Sequence, residues 1–155
     1  MLKWLGLAVA VVVLDQLAKY GIRHAFALYE MVEITPFFNL VLVYNRGAAF
    51  SLLSDAAGWQ RELFIAIALS ASVWIAWLLR KYAAQTLFCL ALSLILGGAL
   101  GNVIDRLLFG AVVDFLDFHV LGYHWPAFNV ADSAISCGAV LLIWDALKAK
   151  RRPAA

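Results

Sequence analysis

The sequence contains few charged residues, because Asp, Glu, Lys and Arg make up only 14% of its 155 positions, against about 25% in soluble domains. Hydrophobic residues make up 65%, well above the roughly 45–50% of soluble domains. This composition excludes an ordinary soluble globule and also a disordered chain, since disorder requires low hydrophobicity and high net charge. The formal net charge is only +2, so the sequence does not predict a nucleic-acid partner.

Cysteine and metal-binding patterns are also scarce. Cys89 and Cys137 both lie in apolar runs, at a spacing that fits neither a disulfide framework nor a zinc site, and each is predicted to be a small buried hydrophobe. The chain lacks the GxSxG and HExxH patterns, and His119 and His124 have no further ligand at metal spacing. No metal or other cofactor is therefore expected.

What the sequence does contain is long uncharged runs. Residues 63–79 and 82–104 are each long enough to cross about 30 Å of hydrocarbon as a helix. Two shorter apolar runs near the chain ends reach that length only if they extend through Asp15 and Asp132, and acids within membrane spans are rare and usually functional. We predict one membrane domain over residues 1–155. Its four spans are placed near residues 4–23, 63–79, 86–105 and 126–144.

The first apolar run has an alternative interpretation as a cleaved secretory signal. Lys3, the short apolar run and the small residues Ala25 and Ala27 resemble the basic region, the apolar region and the cleavage site of such a signal. The polar segment 15–23 is a poor approach to a cleavage site, however, and the rest of the chain is itself a membrane protein. A retained first span is therefore favoured.

The basic residues predict the orientation of the spans. Seven of the 12 lie at three places on one side of this topology, namely Lys3, Arg80, Lys81, Lys148, Lys150, Arg151 and Arg152. The positive-inside rule makes this side cytoplasmic, with both termini inside. The outer loops are then residues 24–62 and 106–125.

The first outer loop contains a predicted β element. Residues 33–45 are rich in β-branched and aromatic residues, and Pro36 and the turn at 45–47 bracket their apolar core. The expected fold class is therefore an all-α polytopic membrane protein with four transmembrane helices and a small extracytoplasmic β element between spans one and two.

Polar residues converge at the outer end of the predicted spans. Span one contributes one pair and span three a set at spacings i, i+3 and i+4, while span four begins with a second pair. With the loop residues, the set is Asp15, Lys19, Asn102, Asp105, Arg106, Asn129, Asp132, Asn45, Arg46, Asp114 and Asp117. Ordinary roles exist for single members, such as a helix-end ion pair, an interfacial anchor or a helix cap. Together they predict a polar site open to the outside.

Carboxylates are the reactive groups at this predicted site. Two acids held close together do not both ionise easily, so one can polarise a carbonyl while the other takes a proton from water. This is the chemistry of aspartic peptidases. Asp132 is the natural first member because it begins a span, while its partner among Asp105, Asp114 and Asp117 is left open by composition and topology.

Three other functions stay open on these observations. Acids at a membrane face can hold Mg²⁺ around phosphates in a lipid headgroup transferase. Lys19 with Ser51 or Ser54 could form a Ser/Lys peptidase. Intramembrane acids are also typical of a small transporter or proton relay.

Five sequence blocks are DQLAK at 15–19, NRGAAFS at 45–51, GGALGNVIDR at 97–106, VVDF at 112–115 and FNVAD at 128–132. In their order and spacing, these blocks resemble the bacterial lipoprotein signal peptidases (signal peptidase II) over essentially the whole chain. The resemblance implies an aspartic peptidase of the bacterial inner membrane. Such enzymes remove the signal peptide from prolipoproteins just before a cysteine that already carries diacylglycerol.

The resemblance also implies roles for single residues. Asp114 and Asp132 would form the catalytic pair, although Asp117 is a second acid close to the first of these. The site-shaping or substrate-binding residues would be Asn45, Asn102, Arg106 and Asn129, and the structural supports would be Asp15, Lys19 and Asp105. The implied partners are lipid-modified prolipoproteins and membrane lipids, with the enzyme acting as a monomer.

Overall fold

The computed structural model describes residues 1–47 and 58–150. Its elements are α1 (Leu2–Ala25), β1 (Met31–Thr35), β2 (Phe38–Asn45), α2 (Trp59–Lys81), α3 (Thr86–Phe109), β3 (Val112–Val120), β4 (Tyr123–His124) and α4 (Val130–Lys150). Each helix contains a stretch long and apolar enough to cross a membrane. The prediction of four apolar helices is confirmed.

The centre of the bundle is α3, which packs against each of the other three helices. Close contact is possible because glycines lie at the crossings. A Cβ on Gly97 would lie 2.6 Å from the backbone oxygen of Ala8 in α1, and one on Gly98 would lie 2.3 Å from the backbone oxygen of Ala131 in α4. The helix backbones can approach this closely only because these positions lack a side chain.

One face of α1 is buried and carries both apolar and charged residues. Its buried residues are Trp4, Ala8, Val11, Asp15 and Lys19. They follow one another at intervals of three or four, which places them on the same side of a helix. The polar pair predicted in span one therefore faces the protein interior, and the exposed apolar residues of α1 are left to face lipid.

The start of α4 differs from the predicted span. The helix begins at Val130 rather than at residue 126. Phe128 instead exchanges backbone hydrogen bonds with Leu116 of β3, at 2.8 and 3.1 Å. Pro126 and the extended backbone up to Asn129 thus connect the sheet to the helix, which fixes the start of α4 against β3.

The sheet is antiparallel and its four strands lie in the order β1-β2-β3-β4. The predicted β element between spans one and two is present, but β3 and β4 come from the connection between α3 and α4. The all-α description with one small element therefore omits half of the strands. Aspartate has a low strand propensity, so Asp114 and Asp117 disfavour a strand at this place. The strand β3 forms by pairing with β2, a segment that is distant in the sequence.

The two cysteines have different surroundings. Cys89 is buried, and its thiol lies 3.0 Å from the backbone oxygen of Tyr82. Cys137 is exposed and lines a cavity beside α4, so its predicted burial is wrong. An apolar run does not distinguish a protein-facing side of a membrane helix from an open one, and α4 packs chiefly against α3.

Candidate active site

A cavity of about 1360 Å³ opens between the sheet and the adjoining ends of α3 and α4. The predicted site residues that line it are Asn45, Asn102, Arg106, Asp114 and Asp132. The other predicted residues, Asn129, Asp15, Lys19 and Asp105, are fully or almost fully buried and connect to this lining through hydrogen bonds. The structure therefore brings together residues from both connections and from three helices.

The two aspartates of the predicted catalytic pair reach the cavity from different elements. Asp114 lies on β3, where Oδ1 accepts a hydrogen bond from Nδ2 of Asn129 at 2.7 Å and Oδ2 accepts one from Nδ2 of Asn45 at 3.1 Å. Asp132 lies in the first turn of α4, and its Oδ1 accepts a hydrogen bond from Nδ2 of Asn102 at 2.7 Å. Each carboxylate is thus oriented by amide groups.

The environment of Asp114 favours a protonated carboxyl. Burial, together with the nearby charge of Asp132, raises the pKa of Asp114 from 3.8 to about 7, although hydrogen bonds from Asn45 and Asn129 act in the opposite direction. A carboxyl of this pKa holds a proton over much of the neutral range. One acid in the cavity can therefore serve as a proton donor while another acts as a base.

Asn129 caps α4 and also contacts Asp114. Its Oδ1 accepts the backbone N–H of Asp132 at 2.9 Å, which is the N-cap bond of α4. Its Nδ2 donates to Asp114. One side chain therefore satisfies the helix start and at the same time contacts both segments that carry the aspartates.

A buried ionic cluster lies behind the cavity and is centred on Lys19. The ammonium lies 2.7 Å from Oδ2 of Asp15 and 2.7 Å from Oδ2 of Asp105, and it donates to Oδ1 of Asn102 at 2.9 Å. Lys19 is 2% exposed. Breaking such a buried cluster is costly, because removal of one partner leaves an uncompensated charge.

The two carboxylates of this cluster also hold the backbone next to the predicted catalytic pair. Asp15 accepts the N–H of Ala131 at 2.8 Å, and Asp105 accepts the N–H of Val113 at 3.0 Å. These are the residues directly before Asp132 and Asp114. The predicted supports therefore act on the positions of both acids.

Arg106 lies at the edge of the cavity without a carboxylate partner among residues 1–47 and 58–150. Its Nη2 donates to the backbone oxygen of Gly47 at 3.1 Å, and its guanidinium lies 5.1 Å from the ring centre of Phe64. Arg61, which the sequence analysis did not single out, donates from Nε to the backbone oxygen of Arg106 at 2.8 Å. Arg106 is thus held at the cavity edge by backbone and aromatic contacts.

Asp117 is held away from the cavity. It lies an odd number of residues from Asp114 on the same strand, so the two side chains point to opposite faces of the sheet. Oδ2 of Asp117 accepts a hydrogen bond from Asn39 at 2.7 Å and lies 2.9 Å from Nδ1 of His124. Neither partner was identified from the sequence. This geometry favours Asp114 over Asp117 as the partner of Asp132.

Two of the other functions considered, the Ser/Lys peptidase and the metal-dependent transferase, can be compared with the structure. A Ser/Lys peptidase needs a lysine nitrogen with a free lone pair to accept the proton of the hydroxyl nucleophile, whereas the ammonium of Lys19 directs its three N–H groups at Asp15, Asp105 and Asn102. Ser51 and Ser54 lie outside the described residues. Within the described ranges, no group of three His, Cys, Asp or Glu side chains is arranged to hold a metal ion.

Comparison with known proteins gives consistent matches over the full chain. The family model described as signal peptidase (SPase) II matches residues 7–148. A lipoprotein signal peptidase of Ralstonia nicotianae is 62% identical over 149 residues, which cover 96% of this chain and 86% of that protein. One from Janthinobacterium sp. (strain Marseille) is 58% identical, with coverage of 96% and 90%.

Solved structures agree with these sequence matches. A bacterial membrane enzyme determined by the in meso method at 2.3 Å resolution superposes with a TM-score of 0.88 at 34% identity, covering 100% of this chain and 94% of that one. A second, at 1.9 Å resolution, gives a TM-score of 0.83 at 36% identity, with coverage of 96% and 94%. On this evidence the chain belongs to the signal peptidase II family.

Proposed function

We propose that the chain is an aspartic endopeptidase that removes the signal peptide from diacylglyceryl-modified prolipoproteins, cutting just before the lipidated cysteine. Family membership supports the substrate class. One observation carries the catalytic type: Asp114, which is buried, and Asp132, which is partly buried, come from a strand and a helix and line the same cavity. Such a pair can share one proton between its two members.

The proposed reaction assigns a different role to each acid. Ionised Asp132 takes a proton from a water molecule, whose oxygen then forms a bond to the scissile carbonyl carbon. Protonated Asp114 donates a hydrogen bond and then its proton to the carbonyl oxygen; its pKa of about 7 leaves about half of this carboxyl protonated at pH 7. The C–N bond breaks as the proton held by Asp132 moves to the leaving nitrogen. One hydroxyl of the tetrahedral intermediate returns its proton to Asp114 as the new carboxyl group forms, which restores both acids to their starting states.

The amides and Arg106 position this pair in the proposed mechanism. Asn45 and Asn129 orient the two oxygens of Asp114, and Asn102 orients Oδ1 of Asp132. Arg106, whose Nε is buried and has no hydrogen-bond partner within the described part of the chain, would bind a substrate backbone oxygen. Fixed donors of this kind lower a barrier because they need no reorganisation during the reaction.

The proposed orientation places the cavity at the outer face of the bacterial inner membrane. Lys3 begins α1, while Arg80 and Lys81 end α2, so these cations lie at the end of the bundle opposite the sheet. The positive-inside rule then places the sheet and both aspartates outside, with the two termini in the cytoplasm. A lipid-modified cysteine, whose acyl chains remain in the bilayer, carries its scissile bond to this level.

The cavity lining fits a substrate that has both a peptide and a lipid part. The polar wall consists of the amides and acids described above, while apolar residues complete the lining, among them Leu28, Val43, Phe109, Ala127 and Ile135. Lipid chains would contact this apolar wall, with the peptide extended along the sheet. Lipid-modified prolipoproteins and bilayer lipids are thus the proposed partners of a monomeric enzyme.

The test is cleavage of a prolipoprotein by the purified chain in detergent, with the substrate cysteine either diacylglycerated or unmodified. We expect cleavage of the lipidated substrate only, its loss in Asp132→Asn, and no effect of a strong chelator. Cleavage that a chelator abolishes would contradict the aspartic mechanism, since acids at a membrane face can also hold a catalytic metal ion. Flux of ions or solute in liposomes without proteolysis would favour the transporter.

A further inference from the structure

A second cavity, of about 380 Å³, is lined by residues of α1 and α3. Helix α1 contributes Val13, Gln16, Leu17, Lys19, Tyr20 and Arg23, and helix α3 contributes Asp105, Leu108 and Phe109. Only Phe109 also lines the larger cavity among the residues described. We call this cavity the α1–α3 groove.

The exposed residues of the α1–α3 groove include apolar side chains, whereas the lining residues Lys19 and Asp105 are buried. Leu17 and Leu108 are 62% and 66% exposed, and Val13 is 48% exposed. From Val13 to Arg23 the groove follows ten residues of α1, a length of about 15 Å at 1.5 Å per residue. A groove of this length and chemistry, surrounded by bilayer, fits part of an acyl chain.

A cation stands at one end of the groove. The guanidinium carbon of Arg23 lies 3.9 Å from the ring centre of Phe109, and Nε donates to the hydroxyl of Tyr44 at 3.1 Å. No carboxylate among the described residues forms an ion pair with Arg23. The side chain is therefore held by an aromatic ring and a hydroxyl, while its terminal nitrogens are available to an anion.

The depth of Arg23 matches that of lipid phosphates. Arg23 lies 20 residues after Lys3 in one continuous helix, or about 30 Å along its axis, which is the thickness of the hydrocarbon core. Lys3 and Arg23 therefore occupy opposite membrane boundaries. A guanidinium also matches the geometry of phosphate oxygens, to which it can donate two parallel hydrogen bonds.

We propose that the α1–α3 groove binds one glycerophospholipid of the surrounding bilayer, with its phosphodiester on Arg23 and one acyl chain along Val13, Leu17 and Leu108. The leaflet is the outer one in the proposed orientation. Because Tyr44 and Phe109 contact Arg23 and also line the larger cavity, the lipid holds one wall of the candidate active site.

Native mass spectrometry of the full chain, released from detergent and titrated with dioleoylphosphatidylglycerol, tests this site without any substrate. We expect one saturable lipid on the wild-type chain and at least tenfold weaker binding to Arg23→Gln. The matched control is Arg80→Gln, which removes an exposed guanidinium at the far end of α2 and should bind as the wild type does. Dioleoylglycerol, which lacks the phosphate, should bind at least tenfold more weakly.

A second variant leaves Arg23 intact. Leu17→Trp fills the groove from its exposed side and should displace the lipid, whereas Val73→Trp, at a 73% exposed position on α2, should not. The proposal is overturned if Arg23→Gln and Arg80→Gln bind equally, if dioleoylglycerol binds as tightly as the phospholipid, or if Leu17→Trp retains the lipid. Loss of peptidase activity plays no part in this readout, so failure of the proposed function is distinguishable from failure of the lipid site.

Discussion

Nδ2 of Asn129 donates a 2.7 Å hydrogen bond to Oδ1 of Asp114, while Oδ1 of the same amide accepts the backbone N–H of Asp132 at 2.9 Å. The start of α4 and the carboxyl on β3 are thus joined by one side chain. Because Asn129 is fully buried, this connection excludes water and fixes the relative positions of the two acids. Its two functions can be separated by mutation.

Asn129→Ser should keep the helix cap and lose the contact with Asp114, since serine is a good N-cap residue but too short to reach the carboxyl. We expect kcat to fall about 100-fold, within the range reported for the loss of one positioned donor. The amide lowers the pKa of Asp114, so its loss raises that pKa further. The alkaline limb of the kcat/KM profile should therefore move to higher pH. A profile that keeps its wild-type limb would contradict the assigned role.

The Asp114→Asn variant should be more stable than the wild-type chain, by a difference that grows as pH rises. The folded pKa of about 7 exceeds the ordinary 3.8, so between these values the unfolded chain is ionised and the folded one is not, and rising pH favours unfolding. Asparagine removes this effect. The gain in Tm should be near zero below pH 4 and greatest above pH 7, where it corresponds to about 4 kcal/mol at most. Thermal unfolding of both chains across this pH range measures the gain in Tm, and Glu62→Gln, at an exposed position, is the control. A gain in Tm that does not vary with pH would contradict the raised pKa of Asp114.

Lys19→Met should destabilise the bundle by about 3–5 kcal/mol, because Asp15 and Asp105 would be buried without their cation. The triple variant that also carries Asp15→Asn and Asp105→Asn has no buried charge left in the cluster. It should recover at least half of the lost Tm. If the single variant unfolds at the wild-type temperature, the cluster does not hold the helices in the way described.

Gly98→Ala should separate α3 from α4 at the level of Asp132. The added Cβ would lie 2.3 Å from the backbone oxygen of Ala131, a distance that requires the helices to shift. We expect a lower Tm together with lower kcat. Gly6→Ala is the matched control, since no atom lies within 4 Å of its Cβ and alanine favours a helix by about 1 kcal/mol. Equal Tm values for the two variants would contradict the packing argument.

Much of the site was predictable because helices and spans have simple periodicities. Asp15 with Lys19, four residues apart, were expected on one face, and the structure shows them as an ion pair. Two of the four apolar helices followed from the length of their uncharged runs, and the other two followed from shorter runs extended through Asp15 and Asp132. These features depend on local spacing, which a single sequence contains.

What could not be predicted depends on pairing between distant segments. The pairing of β2 with β3 makes residues 112–120 a strand, and only then does the odd spacing separate Asp114 from Asp117. The partners of Asp117, which are Asn39 on the neighbouring strand and His124 beyond a turn, could not be predicted for the same reason. Cys137 was misjudged because apolar residues in a membrane helix face lipid or a cavity as readily as a core.

The central claim is that Asp114 and Asp132 are the catalytic pair, and the most direct measurement is single-turnover cleavage of a diacylglycerated prolipoprotein by purified Asp114→Asn and Asp117→Asn. Both variants remove a buried acid from β3, but of the two acids only Asp114 lines the cavity. We predict a loss of at least 1000-fold for Asp114→Asn, with folding intact by thermal unfolding, and activity within about tenfold of wild type for Asp117→Asn. Substantial cleavage by Asp114→Asn, or its loss only in a well-folded Asp117→Asn, would contradict the account.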